Sequence, residues 1–129
     1  MKKELSLSDL KQVYFLGIGG IGMSAIARWF LHNGFPVAGY DKTESPLTKK
    51  LAEEGMEIHY EDSIDLIPKI CISEPEKCLF IFTPAIPATH QEKLFLIKLK
   101  DSFDIVDKSK NIFILFCYCT LLNLGCIYW

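Results

Sequence analysis

Gly17, Gly19 and Gly22 stand at the spacing G-x-G-x-x-G inside the run GIGGIGMS, residues 17–24. Glycines at this spacing, between a strand and a helix, suit a diphosphate. The first permits a tight turn. The second lets a phosphate approach the backbone, and the third lets the helix pack close to the strand. The N–H groups at the helix start then face the anion, and the helix dipole favours its charge. The context here meets the requirement. Val13-Tyr14-Phe15-Leu16 precedes the run and Ala25-Ile26-Ala27 follows it. Asp41 ends the next apolar stretch about 20 residues on, where the fingerprint places an acid that accepts from a ribose hydroxyl. The candidate anion site is therefore Gly17, Ile18, Gly19, Gly20, Ile21 and Gly22, with Met23 and Ser24 opening the helix. The Ser24 hydroxyl could donate to a phosphate or cap the first turn, and both readings stand. Packing alone also calls for glycine-rich turns, which is the competing account of the run.

The elements that must position these residues follow from the pattern. Residues 12–17 read as a buried strand, being apolar almost without interruption. Residues 21–33 read as a helix with Ile21, Ala25, Ile26, Trp29 and Phe30 on its buried face, stopped at Asn33-Gly34. Residues 36–40 form a second strand. Ser45 and Pro46 start a second helix as N-cap and first residue, and Gly55 ends it. Residues 56–60 form a third strand, 63–67 one or two helical turns, and 78–82 a fourth strand. The loop of residues 83–87, Thr-Pro-Ala-Ile-Pro, follows that strand's C-terminal end. Residues 89–99 read as a helix with His90, Leu94 and Ile97 inward, and 103–106 as a fifth strand. The fold class is α/β: a Rossmann-like parallel sheet of about five strands with helices on both faces. In such sheets ligands bind outside the strands' C-terminal ends. The glycine loop, Asp41 and the 83–87 loop all lie there.

Composition narrows the function. The 129 residues are 50% hydrophobic and 23% charged, enough for one globular domain with a core. A net charge of −2 with no Lys/Arg run beyond two residues gives no support for a nucleic-acid partner. The five cysteines form no C-x-x-C pair, which argues against a zinc or redox centre. Their odd number and the mixed N-terminal residues point to reduced thiols and a cytoplasmic location. The three histidines His32, His59 and His90 have no histidine or cysteine three or four residues away, so no metal site is expected.

The order GIGGIGMS, GYDKTESPLTKKL, EEGMEIHYED, FTPAIP is similar to the N-terminal domain of the Mur ligase family. The match is to the branch of UDP-N-acetylmuramate–L-alanine ligases, across about residues 10–107. That family uses ATP to add L-alanine during bacterial cell-wall (peptidoglycan) synthesis. Its N-terminal domain holds the UDP part of the muramyl substrate. The resemblance implies that the amides of the glycine loop meet the diphosphate and that Asp41 accepts from the uridine ribose. It places Lys42 and Thr43 along the uracil, and Thr83, Pro84, Ala85 and Ile86 near the uracil and phosphates. The expected partner is a small-molecule UDP-sugar. A membrane partner is not expected. The alternative is an NAD(P)-binding domain of an oxidoreductase or regulatory protein, since that ligand also offers a diphosphate and a ribose diol.

Two features depart from the family. No glycine is followed by lysine, so no phosphate loop of the G-x-x-x-x-G-K-[ST] type exists in the chain. ATP and Mg are expected only of the full-length enzyme. No cofactor, no metal and no catalytic residue are assigned to these residues, and the chain alone is expected to be inactive. Residues 1–108 read as the UDP-sugar-binding domain and 109–129 as an atypical apolar tail. From Ile112 onward the tail has no charged residue and carries three of the five cysteines. A shifted reading frame accounts best for it. A membrane-associating segment and a last buried element are the other accounts. An apolar tail left unpaired predicts self-association.

Overall fold

The computed structural model describes residues 7–83 and 85–102. A 3₁₀ turn, Leu7–Asp9, leads into strand β1 (Gln12–Leu16). The elements that follow are helix α1 (Ile21–His32), strand β2 (Val37–Tyr40), helix α2 (Pro46–Glu53) and strand β3 (Glu57–His59). After them come a short helix α3 (Lys69–Ser73), strand β4 (Cys78–Phe82) and helix α4 (Gln91–Ser102). The strands make one parallel sheet in the order β3-β2-β1-β4. The described sheet has four strands, one fewer than expected. The strand read at residues 103–106 and the tail at 109–129 lie outside the described residues.

β1 is central, and all five of its residues are buried. Its alternate side chains feed two cores. Val13 and Phe15 pack with Met23, Ala27 and Phe30 of α1 and Leu51 of α2 on one face. Tyr14 and Leu16 pack with Ile67, Cys71 of α3 and Leu96 of α4 on the other. Each fully buried apolar side chain contributes about 1.5–3 kcal/mol. Helices thus cover both faces, as a parallel sheet demands. Among the described residues no helix is long and apolar enough to cross a membrane.

Local chemistry explains the boundaries. Gly17 has φ +90°, and the chain turns there from β1 towards α1. Ser45 caps α2 by accepting the Thr48 N–H at 3.1 Å. Thr48 returns the bond by accepting the Ser45 N–H at 2.8 Å. Arg28 of α1 makes a forked contact with Glu54 just past α2, at 3.0–3.2 Å, tying those two helices together.

Two helix faces differ from the sequence reading. The buried face of α1 is Met23, Ser24, Ala27 and Phe30, while Ile21 is 86% exposed and Trp29 also faces outward. The helix is apolar almost all round, so periodicity resolves its face poorly. In α4, Leu94 and Ile97 are exposed, and Glu92 and Leu96 are buried instead. The interior hydrogen-bond partners of Glu92, described below, turn the helix that way.

Candidate functional site

The chain crosses the sheet at β1. It runs outward through β2 and β3, then returns to β4 on the other side of β1. The C-terminal ends of β1 and β4 therefore form a topological switch point, where α/β sheets place ligands. Gly17 follows β1 there and Thr83 follows β4. A Cβ on Gly17 would lie 2.1 Å from Thr83 Cγ2, so the two loops touch only because residue 17 is glycine. Asp41, at the end of neighbouring β2, completes the arrangement. Its Oδ2 accepts the Gly19 N–H at 2.7 Å and its Oδ1 accepts the Thr43 N–H at 3.2 Å.

These bonds revise which amides are open to a ligand. Gly17 and Ile18 both donate to the Tyr40 carbonyl, at 2.8 and 3.1 Å, and Gly20 donates to Gly17 at 3.3 Å. Gly19 is taken by Asp41. The first bond within α1 runs from Ser24 N–H to Gly20 O at 2.8 Å, and no side chain caps the helix. Ile21, Gly22 and Met23 thus carry the first-turn amides that lack an intrahelical acceptor. The anion-binding capacity sits in the helix start, one step later in the chain than the glycine turn itself.

The glycines also have reasons internal to the protein. A Cβ at Gly19 would lie 2.6 Å from Asp41 Oδ2 and 2.8 Å from Thr48 Cγ2. Thr48 is fully buried and cannot yield easily, since it accepts from Tyr60 O–H at 2.9 Å and belongs to the α2 cap. The close approach at residue 19 is therefore made by Asp41 and Thr48, where the fingerprint assigns it to a phosphate. Gly20 differs, for a Cβ there meets nothing nearer than 3.6 Å.

The other named residues fall as follows. Ile18 and Met23 are buried in the core, so only their backbones could meet a ligand. The Ser24 side chain is buried and donates to the Ile21 carbonyl at 2.8 Å, a bond back onto the first turn that is not a cap. Lys42 and Thr43 are exposed beside Asp41. Thr83 prolongs the β1–β4 ladder by donating from its N–H to Leu16 O at 3.1 Å, Ala85 is exposed and Ile86 is buried. Pro84 lies outside the described residues. Cys71 and Cys78 are buried, and the Cys78 thiol donates to the Glu74 carbonyl at 3.4 Å.

A second group of polar side chains lies under the opposite face of the sheet, and sequence reasoning did not assemble it. Glu92 is fully buried. It accepts the Tyr14 O–H and lies 3.0 and 3.1 Å from His59 Nε2 through its two oxygens. Beside it, Asp62 caps α4 by accepting the Gln91 and Glu92 N–H groups at 2.9 and 3.0 Å. His90 is buried at 3.3 Å from Asp62, with its ring edge-on to Tyr40. These residues come from four separate segments, which is why no local spacing betrays them.

Burial, followed by the bond to Glu92, pushes the Tyr14 phenol far above its ordinary pKa of about 10. In the unfolded chain the phenol ionises near pH 10; in the folded protein it keeps its proton. Its contribution is thus complete below about pH 10 and is lost as the pH rises beyond it. Unfolding free energy is expected to fall by up to about 1.4 kcal/mol per pH unit from this one proton. Denaturant melts of the protein and of Tyr14→Phe above pH 10 check this, since the variant must show the shallower alkaline slope.

The comparisons with known proteins agree with this architecture. The profile described as Mur ligase family, catalytic domain, matches residues 12–96. The chain belongs to the Mur ligase family. It is 55% identical over 83 residues to UDP-N-acetylmuramate–L-alanine ligase of Porphyromonas gingivalis, a match covering 64% of this chain and 18% of that protein. It is 52% identical over 94 residues to the same ligase of Flavobacterium johnsoniae, covering 73% of this chain and 20% of that one. Among solved structures it resembles UDP-N-acetylmuramate-alanine ligase of Thermotoga maritima, with a TM-score of 0.57 and 32% identity over 70% of this chain and 19% of that chain. The chain thus spans about a fifth of the length of these relatives.

Proposed function

We propose that this chain holds the UDP part of UDP-N-acetylmuramate for an ATP-dependent L-alanine-adding ligase of peptidoglycan synthesis, in the cytoplasm. The observation that carries the reading is the uncapped start of α1 at the switch point, with Asp41 and the 83–86 loop beside it. The similarity to alanine-adding ligases supplies the substrate. In this reading the Ile21, Gly22 and Met23 amides receive the diphosphate, aided by the helix dipole. Asp41 has two tasks. Two of its lone pairs hold the loop, and a carboxylate has about four, so two remain for ribose hydroxyls. Lys42 and Thr43 flank the base. The chain has no Gly-Lys-Ser or Gly-Lys-Thr sequence, and ATP and Mg chemistry is assigned to none of its residues.

Calorimetric titration of the full chain with UDP-N-acetylmuramate, and separately with NADH, tests the proposal. Heat from the UDP-sugar alone supports it. Heat from NADH alone overturns it, and so does silence from both with a folded protein. Asp41→Ala is expected to weaken UDP-sugar binding by about 1.5–3 kcal/mol, the range for a bond to a charged group. An unchanged affinity would remove Asp41 from the site.

A further inference from the structure

We infer that Lys93 binds substrate: its ammonium meets the diphosphate of the UDP-sugar from the α4 side of the crevice, opposite the start of α1. The inference rests on the UDP-sugar reading above and adds the cation that reading lacks.

The first observation is a charge deficit. A diphosphate that links two sugars carries a negative charge on each phosphate. The start of α1 offers roughly half a positive charge. Asp41 sets a carboxylate beside it, 2.7 Å from the Gly19 nitrogen. The run from Gly17 to Ser24 holds no basic side chain. Backbone amides alone therefore leave the site short of positive charge.

The second observation is the state of Lys93. Among the described residues Lys11 and Lys77 pair with Glu74, Arg28 with Glu54 and Lys49 with Glu44. Lys93 is half-buried and makes no such pair. Its Nζ donates to the Ile86 carbonyl at 3.3 Å. An ammonium has three N–H donors, so two remain. The residue stands in the first turn of α4, where the helix dipole disfavours a cation. The nearby carboxylates have other work. Asp62 accepts the Gln91 and Glu92 amides, and Glu92 is held by Tyr14 and His59. A half-buried cation in that position suits an anion that comes from outside the chain.

The third observation is its place. Side chains of a helix lean towards its N-terminus, which carries the Lys93 stem back to the loop after β4. That loop abuts the glycine turn, for a Cβ on Gly17 would lie 2.1 Å from Thr83 Cγ2 and 3.7 Å from Ile86 Cδ1. Lys93 is thus anchored to the loop that meets the turn after β1. Lysine binds phosphate as a point charge on a flexible stem, so the remaining distance needs no fixed geometry.

Calorimetric titration of the full chain and of Lys93→Gln and Lys93→Arg with UDP-N-acetylmuramate tests this. Lys93→Gln keeps an N–H donor for the Ile86 carbonyl and removes the charge. It is expected to weaken binding by at least about tenfold, and to make the affinity less sensitive to salt. Lys93→Arg keeps the charge and should bind nearly as the wild type does. Both should melt as the wild type does, and Lys93→Met, which retains the apolar stem, decides should Lys93→Gln fail to fold. Equal affinity in the folded neutral variant would overturn the inference and leave the UDP-sugar reading intact. A loss in Lys93→Arg as large as in Lys93→Gln would overturn it too, since the residue would then act through the loop and not through its charge. Silence from the folded wild type would overturn both readings together.

Discussion

Gly19→Val is expected to lose UDP-N-acetylmuramate binding by at least about 100-fold, roughly 2.7 kcal/mol, and to lower the melting temperature as well. Even the first carbon of the new side chain has nowhere to go. It would sit 2.6 Å from Asp41 Oδ2 and 2.8 Å from Thr48 Cγ2. Thr48 is locked between the α2 cap and Tyr60. Asp41 must therefore swing away, releasing the Gly19 and Thr43 amides together. Overpacking of this kind costs about 1–3 kcal/mol, or about 4 °C or more in a domain of this size. Gly20→Ala provides the contrast. Its Cβ would meet only ordinary contacts at 3.6–3.7 Å and its backbone φ of −66° suits any residue. That variant should keep its melting temperature. If it also loses UDP-sugar binding, the lost space belonged to the ligand. Should Gly19→Val bind normally, or Gly20→Ala unfold, the division between a loop that packs and a helix start that binds would be wrong. Calorimetry and thermal melts of the two variants read both quantities.

β1, β2 and β4 were legible because they are almost wholly buried and so read as largely apolar runs. Residues 78–82 became β4 without adjustment. Ser45-Pro46 announced α2 because its cap is local. Helix α3 escaped, being five residues enclosed by Pro68 and Pro75 with no room for a period to develop. The glycine loop was recognised in place, but its internal bonds were not. Asp41 spends its charge on the Gly19 amide, across 22 residues of sequence. The faces of α4 were read wrongly for a similar reason. Glu is almost never fully buried unless paired, and its partners Tyr14 and His59 lie 78 and 33 residues away. Long-range polar pairing outweighed the apolar pattern of Leu94 and Ile97. No spacing rule reaches that far.

His59→Leu should be the most destabilising single change outside the glycine loop. It removes the group that faces both oxygens of Glu92 at 3.0 and 3.1 Å, leaving a fully buried carboxylate with Tyr14 as its side-chain partner. Stranding one member of a buried pair costs about 3–5 kcal/mol. At about 4 °C or more per kcal/mol, the melting temperature should fall by about 12 °C or more. The double variant His59→Leu/Glu92→Leu separates the causes. Replacing a buried pair with apolar side chains is often neutral, so the double variant should regain most of what the single one loses. Equal losses in both would mean that His59 acts through its contacts with Tyr14 and Tyr40, at 6.2 and 5.8 Å between ring centres, and not through charge.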